Sequence, residues 1–305
     1  LSSPRRVRGM GFGKQLAAFR KVGKRKRPAD GPEQGSGEAA GSRASRPRSA
    51  GPQGAAAEAP HSAPPLPRLG PEGGAKLPDD TGCRVFDYVT SPVVIGGLGG
   101  SGTRLIADVA SALGVRMPGE VNESSDDLGF TLVFKHLSAL RWGAESFDSA
   151  LETFVAATTG CRALTHRDEE LLQGLARKRR DQHPVWWLEE RASTLLRPRA
   201  ERLRAGEPWG WKEPNSHIFL HRLARRFPRM RYIHVVRHGL DMAHSGNQNQ
   251  LRLWGECFLE PGFPLSPRSA LRYWVESHRR VQRIGEEALG GGRFLVLDYD
   301  DFCRE

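Results

Sequence analysis

One stretch of ten residues constrains the fold more than any other, because half of it is glycine. Residues 95–104 read IGGLGGSGTR, between an apolar run that ends at Ile95 and a segment that runs from Leu105 to Leu113. Apolar residues recur at helical spacing in that segment, and Gly114 then provides a stop. A strand, a glycine-rich turn and a helix in succession predict an α/β fold. The backbone N–H groups at the start of such a helix predict an anion site.

The glycine spacing agrees in part with dinucleotide-binding folds. Gly97, Gly99 and Gly102 satisfy GxGxxG, a pattern that is weak on its own. A dinucleotide fold also requires an acidic residue at the end of a second strand, about twenty residues further on. Glu120 lies near that distance, but a Pro-Gly pair directly precedes it, and this pair is poor strand chemistry.

The same loop also fits the frame of ATPase loops, GxxxxGK[ST], through Gly97 and Gly102. Here Thr103 stands in the place of the lysine, and Arg104 stands in the place of the Mg²⁺-binding hydroxyl. A loop without these two groups lacks the parts that handle a γ-phosphate and its metal ion. The loop therefore predicts a site for a phosphate-like anion without a metal.

A second group of polar residues follows a buried-strand pattern, RYIHVV, at residues 231–236. Arg237 stands at the carboxyl end of that strand, and Ser245 lies eight residues later, on the helix expected to follow. Ligands of α/β sheets bind outside the carboxyl ends of the strands, so we expect Arg237 to share one crevice with the glycine loop. A guanidinium and a hydroxyl can together hold one phosphate.

In combination, these elements resemble those of the sulfotransferases. SGTR at 101–104 and VVRHGLDMAHS at 235–245 match two family elements in order and spacing, and WKEP at 211–214 and LDYDDF at 297–302 resemble two more. The resemblance covers about residues 90–305 and is closest to the carbohydrate, tyrosylprotein and bacterial-type branch. It implies a P-loop-like, three-layer α/β fold with a mostly parallel sheet flanked by helices. It also implies an enzyme that transfers a sulfuryl group from 3′-phosphoadenosine 5′-phosphosulfate (PAPS) to a hydroxyl or amine.

The resemblance further implies which residues hold the donor nucleotide. Arg237 and Ser245 would hold the 3′-phosphate of PAPS, and the loop would hold its 5′-phosphosulfate. The loop residues concerned are Gly99, Gly100, Ser101, Gly102, Thr103 and Arg104.

Catalysis in this family needs cations and a base, and no metal. The family usually has Lys or Arg just before Ser-Gly-Thr, where this chain has Gly100, so Arg104 or Lys212 is expected to supply the cation. Positioning and electrostatic stabilisation carry most of the rate effect in such a transfer, while a carboxylate or a histidine near the acceptor takes its proton. The segment after the first helix is expected to supply this base, with the candidates, in order, Glu120, Glu123 and Asp126.

Residues 1–80 differ in composition from the remainder of the chain. They carry fifteen Lys and Arg against seven Asp and Glu, whereas the remaining residues carry 31 against 28. Large apolar side chains are scarce among them, so burial cannot offset the entropy of ordering. We therefore predict a disordered basic tail over 1–80, followed by a sulfotransferase-like domain over 81–305. The charge of the tail is compatible with contact to nucleic acid or to a membrane surface.

Other features limit the class of protein. The four cysteines are far apart without a CxxC pair, which predicts neither a zinc site nor a disulfide framework. No run approaches roughly 18 apolar residues, so no transmembrane segment is predicted. We expect a cytoplasmic protein, although the Arg- and Ser-rich start also fits a transit peptide. The family has a PAPS-clamping segment beyond LDYDDF, and the sequence ends before it, so we expect a fragment truncated at its C-terminal end.

Two other functions stay open at this point. One is a nucleotide-dependent kinase or NTPase with a degenerate P-loop, and the other is a non-enzymatic module that binds nucleotides or polyanions through the basic tail. The acceptor is equally open among a glycan, a protein tyrosine, a lipid and a small metabolite, because acceptor pockets are built from variable loops.

Overall fold

The computed structural model describes residues 66–69, 91–290 and 292–304. Within these residues four parallel strands form one sheet in the order β2-β1-β3-β4. The strands are β1 (Val93–Gly97), β2 (Gly210–Lys212), β3 (Arg231–Val236) and β4 (Phe294–Asp298). Ile95 of β1 pairs with Lys212 on one side and with Ile233 on the other. The strand that leads into the glycine loop therefore lies inside the sheet.

Helices surround this sheet throughout the described part of the chain. The α-helices are α1 (Thr103–Ala112), α2 (Leu128–Phe134), α3 (Ala144–Thr159), α4 (His166–Ala176), α5 (Val185–Leu196), α6 (Leu220–Arg226), α7 (Gly239–Ala243), α8 (Asn249–Phe258), α9 (Pro267–Ile284) and α10 (Tyr299–Arg304). Two 3₁₀ helices (Leu137–Arg141 and Pro214–Phe219) and one π-helical turn (Gly285–Leu289) complete the described elements. None of the helices in these residues is long and apolar enough to cross a membrane.

Both faces of the sheet are covered, because side chains alternate along each strand. Val94 and Tyr232 belong to the large core on one face, whereas Ile95 and Val235 pack with α1 on the other. The predicted α/β class, with a parallel sheet flanked by helices, is confirmed by this topology. The helix predicted from Thr103 is also confirmed, and the strand predicted at 231–236 has the predicted bounds.

Residues 66–69 lie within the predicted tail and contact the α/β domain. The Leu69 N–H donates to the Cys257 carbonyl at 2.8 Å, and the Arg68 guanidinium donates to the Leu259 carbonyl at 2.6 Å. Leu69 also packs against the large core. The backbone and side chains of these four residues therefore bond to the end of α8. The other residues of 1–80 lie outside the described part of the chain.

A buried arginine stabilises the segment that follows β2. Arg280 of α9 is 5% exposed, and its guanidinium donates to the carbonyls of His217 and Ile218 at 2.8 and 3.1 Å. Burial lowers the pKa of Arg280 to about 10, so the side chain stays charged at neutral pH. The 3₁₀ helix Pro214–Phe219 thereby obtains donors for carbonyls that would otherwise be buried without partners.

Replacing Arg280 by Met is expected to lower the free energy of unfolding by about 3 kcal/mol, since two buried carbonyls lose their donors. The adjacent Arg279 is the matched control, because its side chain is 74% exposed and, among the residues that the structure describes, pairs with Glu276 alone. Arg279→Met should change the free energy of unfolding by less than about 0.5 kcal/mol. Urea unfolding followed by tryptophan fluorescence measures both, and equal effects of the two variants would contradict this role.

Candidate active site

The glycine loop turns at two glycines that adopt the left-handed conformation. Gly100 has φ of 96° and Gly102 has φ of 91°, both in a region that side-chain-bearing residues rarely adopt. The Ser101 N–H closes the turn by donating to the Leu98 carbonyl at 3.0 Å. The N–H groups of residues 99, 100, 102, 103 and 104 have no acceptor among the described residues. The loop therefore presents a set of unused donors at the N-terminus of α1, as an anion site requires.

Two neighbouring elements, the start of α10 and the turn after α7, pack closely against this loop from the β3 and β4 side. A Cβ atom on Gly102 would lie 2.0 Å from the Tyr299 ring at the start of α10, and one on Gly99 would lie 3.3 Å from the Asn247 amide nitrogen. Glycine is required at 102 for both conformation and space. The carboxyl ends of β1, β3 and β4 thus meet at one place.

Replacing Gly102 by Ala is expected to destabilise the fold by more than about 2 kcal/mol, because a strained φ and a clash with Tyr299 act together. Gly114 provides the control, since it has the same φ of 91° but nothing within 4 Å of an added Cβ. Gly114→Ala should therefore cost only the conformational part, about 1 kcal/mol. Urea unfolding compares the two variants; equal losses would mean that Tyr299 does not constrain the loop.

Ser101 lies on the inner side of the loop. Its side chain is almost fully buried, and its hydroxyl has no hydrogen-bond partner among the described residues. A Cβ atom on Gly97 would lie 2.8 Å from this hydroxyl oxygen. A buried hydroxyl without a partner costs free energy until a ligand or water satisfies it.

Arg237 reaches the loop from the end of β3, as the sequence predicts. One guanidinium nitrogen donates to the Gly100 carbonyl at 3.3 Å, and another lies 3.4 Å from the Asp241 carboxylate. The guanidinium carbon is 5.9 Å from the centre of the Tyr299 ring, and the Trp274 indole N–H donates to the Arg237 carbonyl at 3.1 Å. The Arg237 Nε has no partner in the described part of the chain. This side chain is therefore oriented by its neighbours while one buried donor remains unused.

Ser245 does not lie on a helix, so that part of the prediction was wrong. Helix α7 ends at Ala243 because the His244 backbone, with φ of −95° and ψ of 1°, leaves helical geometry. Ser245 lies in the turn beyond it, and its hydroxyl accepts the Asn247 N–H at 3.2 Å. The same turn contacts the glycine loop through Asn247, so Ser245 is nevertheless close to the loop.

The two candidate cations, Lys212 and Arg104, meet at the turn over residues 122–126. Lys212 is 3% exposed, and its ammonium donates to the Ser124 carbonyl at 2.7 Å and forms an ion pair with Asp126. Arg104 is exposed on the first turn of α1 and donates to the Glu123 carbonyl at 3.3 Å. Both cations therefore lie on the α1 face of the sheet, on the β2 side of the loop.

Glu120, the first candidate base, forms an ion pair with a different element, helix α5. Its carboxylate lies 3.1 Å from an Arg191 guanidinium nitrogen on α5, and one third of its side chain is exposed. Arg191 in turn lies over the Trp187 ring at 5.4 Å. The structure thus brings Glu120 and Asp126 into the same segment, each paired with a different cation.

Two buried carboxyl groups near the site were not predicted from the sequence. Burial raises the pKa of Glu213 to about 7, with the charge of Lys135 as the largest opposing influence, and the Glu213 carboxylate accepts two hydrogen bonds from Asn215. Burial also raises the pKa of Asp127 to about 7, although its carboxylate caps α2 by accepting the Phe130 N–H. Glu213 belongs to the WKEP motif, which the sequence analysis used to select Lys212 as a candidate cation. The motif therefore contained the residue, but its burial was not predicted.

Comparison with known proteins decides the family. A model of the sulfotransferase family matches residues 92–305, from β1 through the glycine loop, Arg237 and α10. The chain belongs to the sulfotransferase family. It is a sulfotransferase, and the chemistry it catalyses is sulfuryl transfer.

Solved structures give weaker likenesses. The sulfotransferase domain from the curacin biosynthetic pathway is 16% identical, with 70% of this chain and 69% of that chain covered and a TM-score of 0.36. The sulfotransferase STF9 from Mycobacterium avium is also 16% identical, with 72% and 62% covered and a TM-score of 0.34. No curated protein gives a significant match. The assignment of this sulfotransferase therefore rests on the family match over 92–305.

Buried histidines lie beneath the glycine loop of the sulfotransferase, on the face of the sheet opposite to α1. The His234 Nε2 on β3 lies 2.7 Å from the His278 Nδ1 on α9, and the His217 ring is 6.4 Å from the His234 ring. Burial lowers the pKa of His217 to about 4 and that of His278 to about 3, and it lowers the pKa of His234 well below its usual value. These rings are therefore neutral at physiological pH and serve packing.

Acidification below about pH 6.5 is expected to destabilise the sulfotransferase, since buried histidines stay neutral in the fold but take up protons when it unfolds. A histidine whose pKa is lowered by folding contributes its full stabilisation at pH values above its pKa in the unfolded chain. This contribution is lost as the pH falls below that pKa. Asp127 and Glu213, whose pKa values are raised, have the opposite effect and stabilise the fold on acidification over the same pH range. The buried histidines outnumber these two carboxyl groups, so we expect a net loss of stability. The described histidines with lowered pKa values are His136, His183, His217, His221, His234 and His278.

Urea unfolding between about pH 5 and pH 7.5 tests this expectation, and each histidine contributes at most about 1.4 kcal/mol per pH unit. His278→Gln should flatten the pH dependence by one such contribution. A free energy of unfolding that increases on acidification would show that the buried carboxyl groups dominate instead.

Proposed function

We propose that this sulfotransferase uses PAPS as its sulfuryl donor and a hydroxyl or amine as its acceptor. The observation that carries the proposal is the contact between Arg237 and the glycine loop, where a guanidinium nitrogen lies 3.3 Å from the Gly100 carbonyl. One nucleotide with phosphate groups on both its 5′ and 3′ sides requires two anion sites side by side. The loop and the end of β3 offer such a pair.

The unused donors of the site support a fit to this nucleotide. The unused N–H groups of residues 99, 100, 102, 103 and 104, together with the Ser101 hydroxyl, would hold the 5′-phosphosulfate. Arg237 has a free buried donor for the 3′-phosphate. The Ser245 hydroxyl accepts from Asn247 and so keeps its own proton to donate to the same phosphate.

The left-handed conformation of Gly100 gives a physical reason for the absence of the family's usual cation at this position. A lysine with φ near 96° would be strained, so the charge that develops on the sulfuryl group must be stabilised from elsewhere. Arg104 is exposed at the N-terminus of α1 and is available without rearrangement. Lys212 would first have to break its ion pair with Asp126. We therefore propose that its main role is to stabilise the turn over residues 122–126, and that stabilising the anion is a secondary role.

Glu120 is proposed as the general base. Bound PAPS supplies an activated sulfuryl group on a phosphate leaving group. The Glu120 carboxylate takes the acceptor's proton as the new bond to sulfur forms, and the bond between sulfur and the bridging phosphate oxygen breaks. 3′,5′-ADP leaves with the electron pair of that bond, and the loop donors stabilise its phosphate.

Thermal unfolding with 3′,5′-ADP or with ATP and Mg²⁺ tests the donor. At about 100 times Kd, 3′,5′-ADP should raise the Tm by roughly 5–10 °C, because ligand binding to the folded state alone stabilises it. Arg237→Ala should abolish most of this shift. Arg268→Ala, at an exposed arginine of α9, is the control and should retain it.

A shift with ATP and Mg²⁺ but none with 3′,5′-ADP would overturn the proposal and favour a nucleotide-dependent kinase or NTPase. A response to neither nucleotide would favour the module that binds polyanions through its basic tail. The sequence lacks the GK[ST] residues that handle a γ-phosphate, and the tail does not account for the contact between Arg237 and the loop.

A further inference from the structure

The peptide bond between Arg237 and His238 is held from two sides by side chains that are remote in the sequence. Its carbonyl group accepts the Trp274 indole N–H of α9 at 3.1 Å, and its N–H group donates to the Asp300 carboxylate of α10 at 2.9 Å. We call these two side chains the peptide clamp (Trp274 and Asp300). Neither group of this peptide has a backbone partner among the residues that the structure describes. The clamp therefore supplies the hydrogen bonds that secondary structure supplies elsewhere.

This peptide bond lies in the connection between β3 and α7. Strand β3 ends at Val236 and α7 begins at Gly239, so the two residues between them belong to neither element. The sheet fixes the chain as far as Val236, and the direction of the next peptide depends on other contacts. A rotation of that peptide would redirect the Arg237 side chain, because the side chain leaves the backbone directly before it.

The guanidinium end of Arg237 is less firmly held than its backbone. Its contacts with the Gly100 carbonyl and the Asp241 carboxylate are 3.3 and 3.4 Å long, beyond the usual range for an N–H···O bond. The Asp241 side chain is also 52% exposed, so solvent weakens this ion pair. The position of the guanidinium therefore depends on where the side chain leaves the backbone, which the peptide clamp fixes.

Trp274 is itself held against β3. Its ring meets the His278 ring edge-on at 4.5 Å, and the His278 Nδ1 lies 2.7 Å from the His234 Nε2. A Cβ atom on Gly239 would lie 3.3 Å from the indole, so the start of α7 packs against Trp274. Since His234 lies on β3, three residues before Arg237, the contacts form a closed ring from β3 through α9 and back. This ring fixes the direction of the indole N–H.

Asp300 is held on the other side of the site. Its backbone N–H donates to the Asp298 carboxylate at 2.9 Å, which joins the start of α10 to the end of β4. The preceding residue, Tyr299, fills the space beside Gly102, and its ring centre lies 5.9 Å from the Arg237 guanidinium carbon. Two adjacent residues of α10 thus contact the glycine loop, the Arg237 side chain and the backbone that follows it.

We propose that Trp274 and Asp300 are positioning residues for Arg237 and thereby determine how strongly the site prefers a nucleotide with a 3′-phosphate. This inference rests on the proposed function, in which Arg237 holds that phosphate. Both side chains would act through the peptide bond after Arg237 rather than by contact with the nucleotide. A long, flexible side chain binds a phosphate tightly when little ordering is left to be done on binding, and the clamp supplies that order in advance.

The affinities for 3′,5′-ADP and for 5′-AMP, measured by isothermal titration calorimetry on the full chain, test this inference. Their ratio reports the contribution of the 3′-phosphate. Trp274→Phe removes the indole N–H and keeps an aromatic ring, and Asp300→Ala removes the acceptor. Each should lower the preference for 3′,5′-ADP about tenfold, with the 5′-AMP affinity changed less than about twofold. Asp300→Asn keeps an oxygen acceptor and should retain most of the preference.

Two variants elsewhere are matched controls. Trp254→Phe removes another indole N–H bond, which reaches the Asn215 side chain at 2.7 Å, and Asp301→Ala removes a 70% exposed carboxylate of α10. Both should leave the preference unchanged. In an Arg237→Ala background, Trp274→Phe should have no further effect on the preference, because the residue that it positions is gone.

The inference is overturned if Trp274→Phe and Asp300→Ala weaken both nucleotides equally, because the clamp would then stabilise the fold without orienting Arg237. It is also overturned if either control lowers the preference as much as the clamp variants do. Asp300 is partly exposed, so its variants keep the test decisive if Trp274→Phe fails to fold.

The unaltered chain separates this inference from the proposed function. If it binds 5′-AMP as tightly as 3′,5′-ADP, or binds neither nucleotide, the donor assignment is refuted and the inference with it. A preference for 3′,5′-ADP that is present in the unaltered chain and survives both clamp variants refutes the inference alone.

Discussion

The parallel pairing of β1 with strands on both sides is the constraint on which the rest of the site depends. Parallel strands in register place their carboxyl ends on one edge, so the loop after Gly97, the Glu-Pro pair after Lys212 and Arg237 after β3 leave the sheet together. The left-handed backbone at Gly100 and Gly102 then turns the loop N–H groups toward a common point. Unused donors converge there, as an anion site requires, although the loop has no lysine of its own.

Ion pairs determine which charged side chains beside the glycine loop are available to contact a ligand. Lys212 and Asp126 neutralise each other in a nearly buried position, where separating them would leave an uncompensated charge and therefore cost free energy. Glu120 is paired with Arg191 instead, and Arg104 donates to the backbone carbonyl of Glu123. These pairings orient the 120–127 segment against α1 on one side and α5 on the other. They also leave Arg104 exposed beside the loop and the Glu120 side chain one third exposed.

The sequence predicted local elements well where one strong local signal was present. The helical spacing after Thr103 and the glycine at 114 were enough to predict α1, and the β-branched run before Arg237 was enough to predict β3. Ser245 was placed on a helix because a periodic pattern does not reveal that the His244 backbone ends it. Glu213 and Asp127 were missed because a carboxyl group's burial depends on what packs around it. The ion pair between Lys212 and Asp126 joins residues far apart in the chain, so no local pattern could indicate it.

The sequence by itself determined the class of fold, the glycine loop and the position of Arg237 beside it, because each depends on residue types at short spacing. The order and motifs of these elements also indicated the sulfotransferase family, to which the chain belongs. Only the tertiary structure decided which carboxylate faces which cation, since that depends on distances between elements that are remote in sequence. It likewise decided that α5 places Arg191 against Glu120, because the contacts that orient this helix come from α2, α3 and α4.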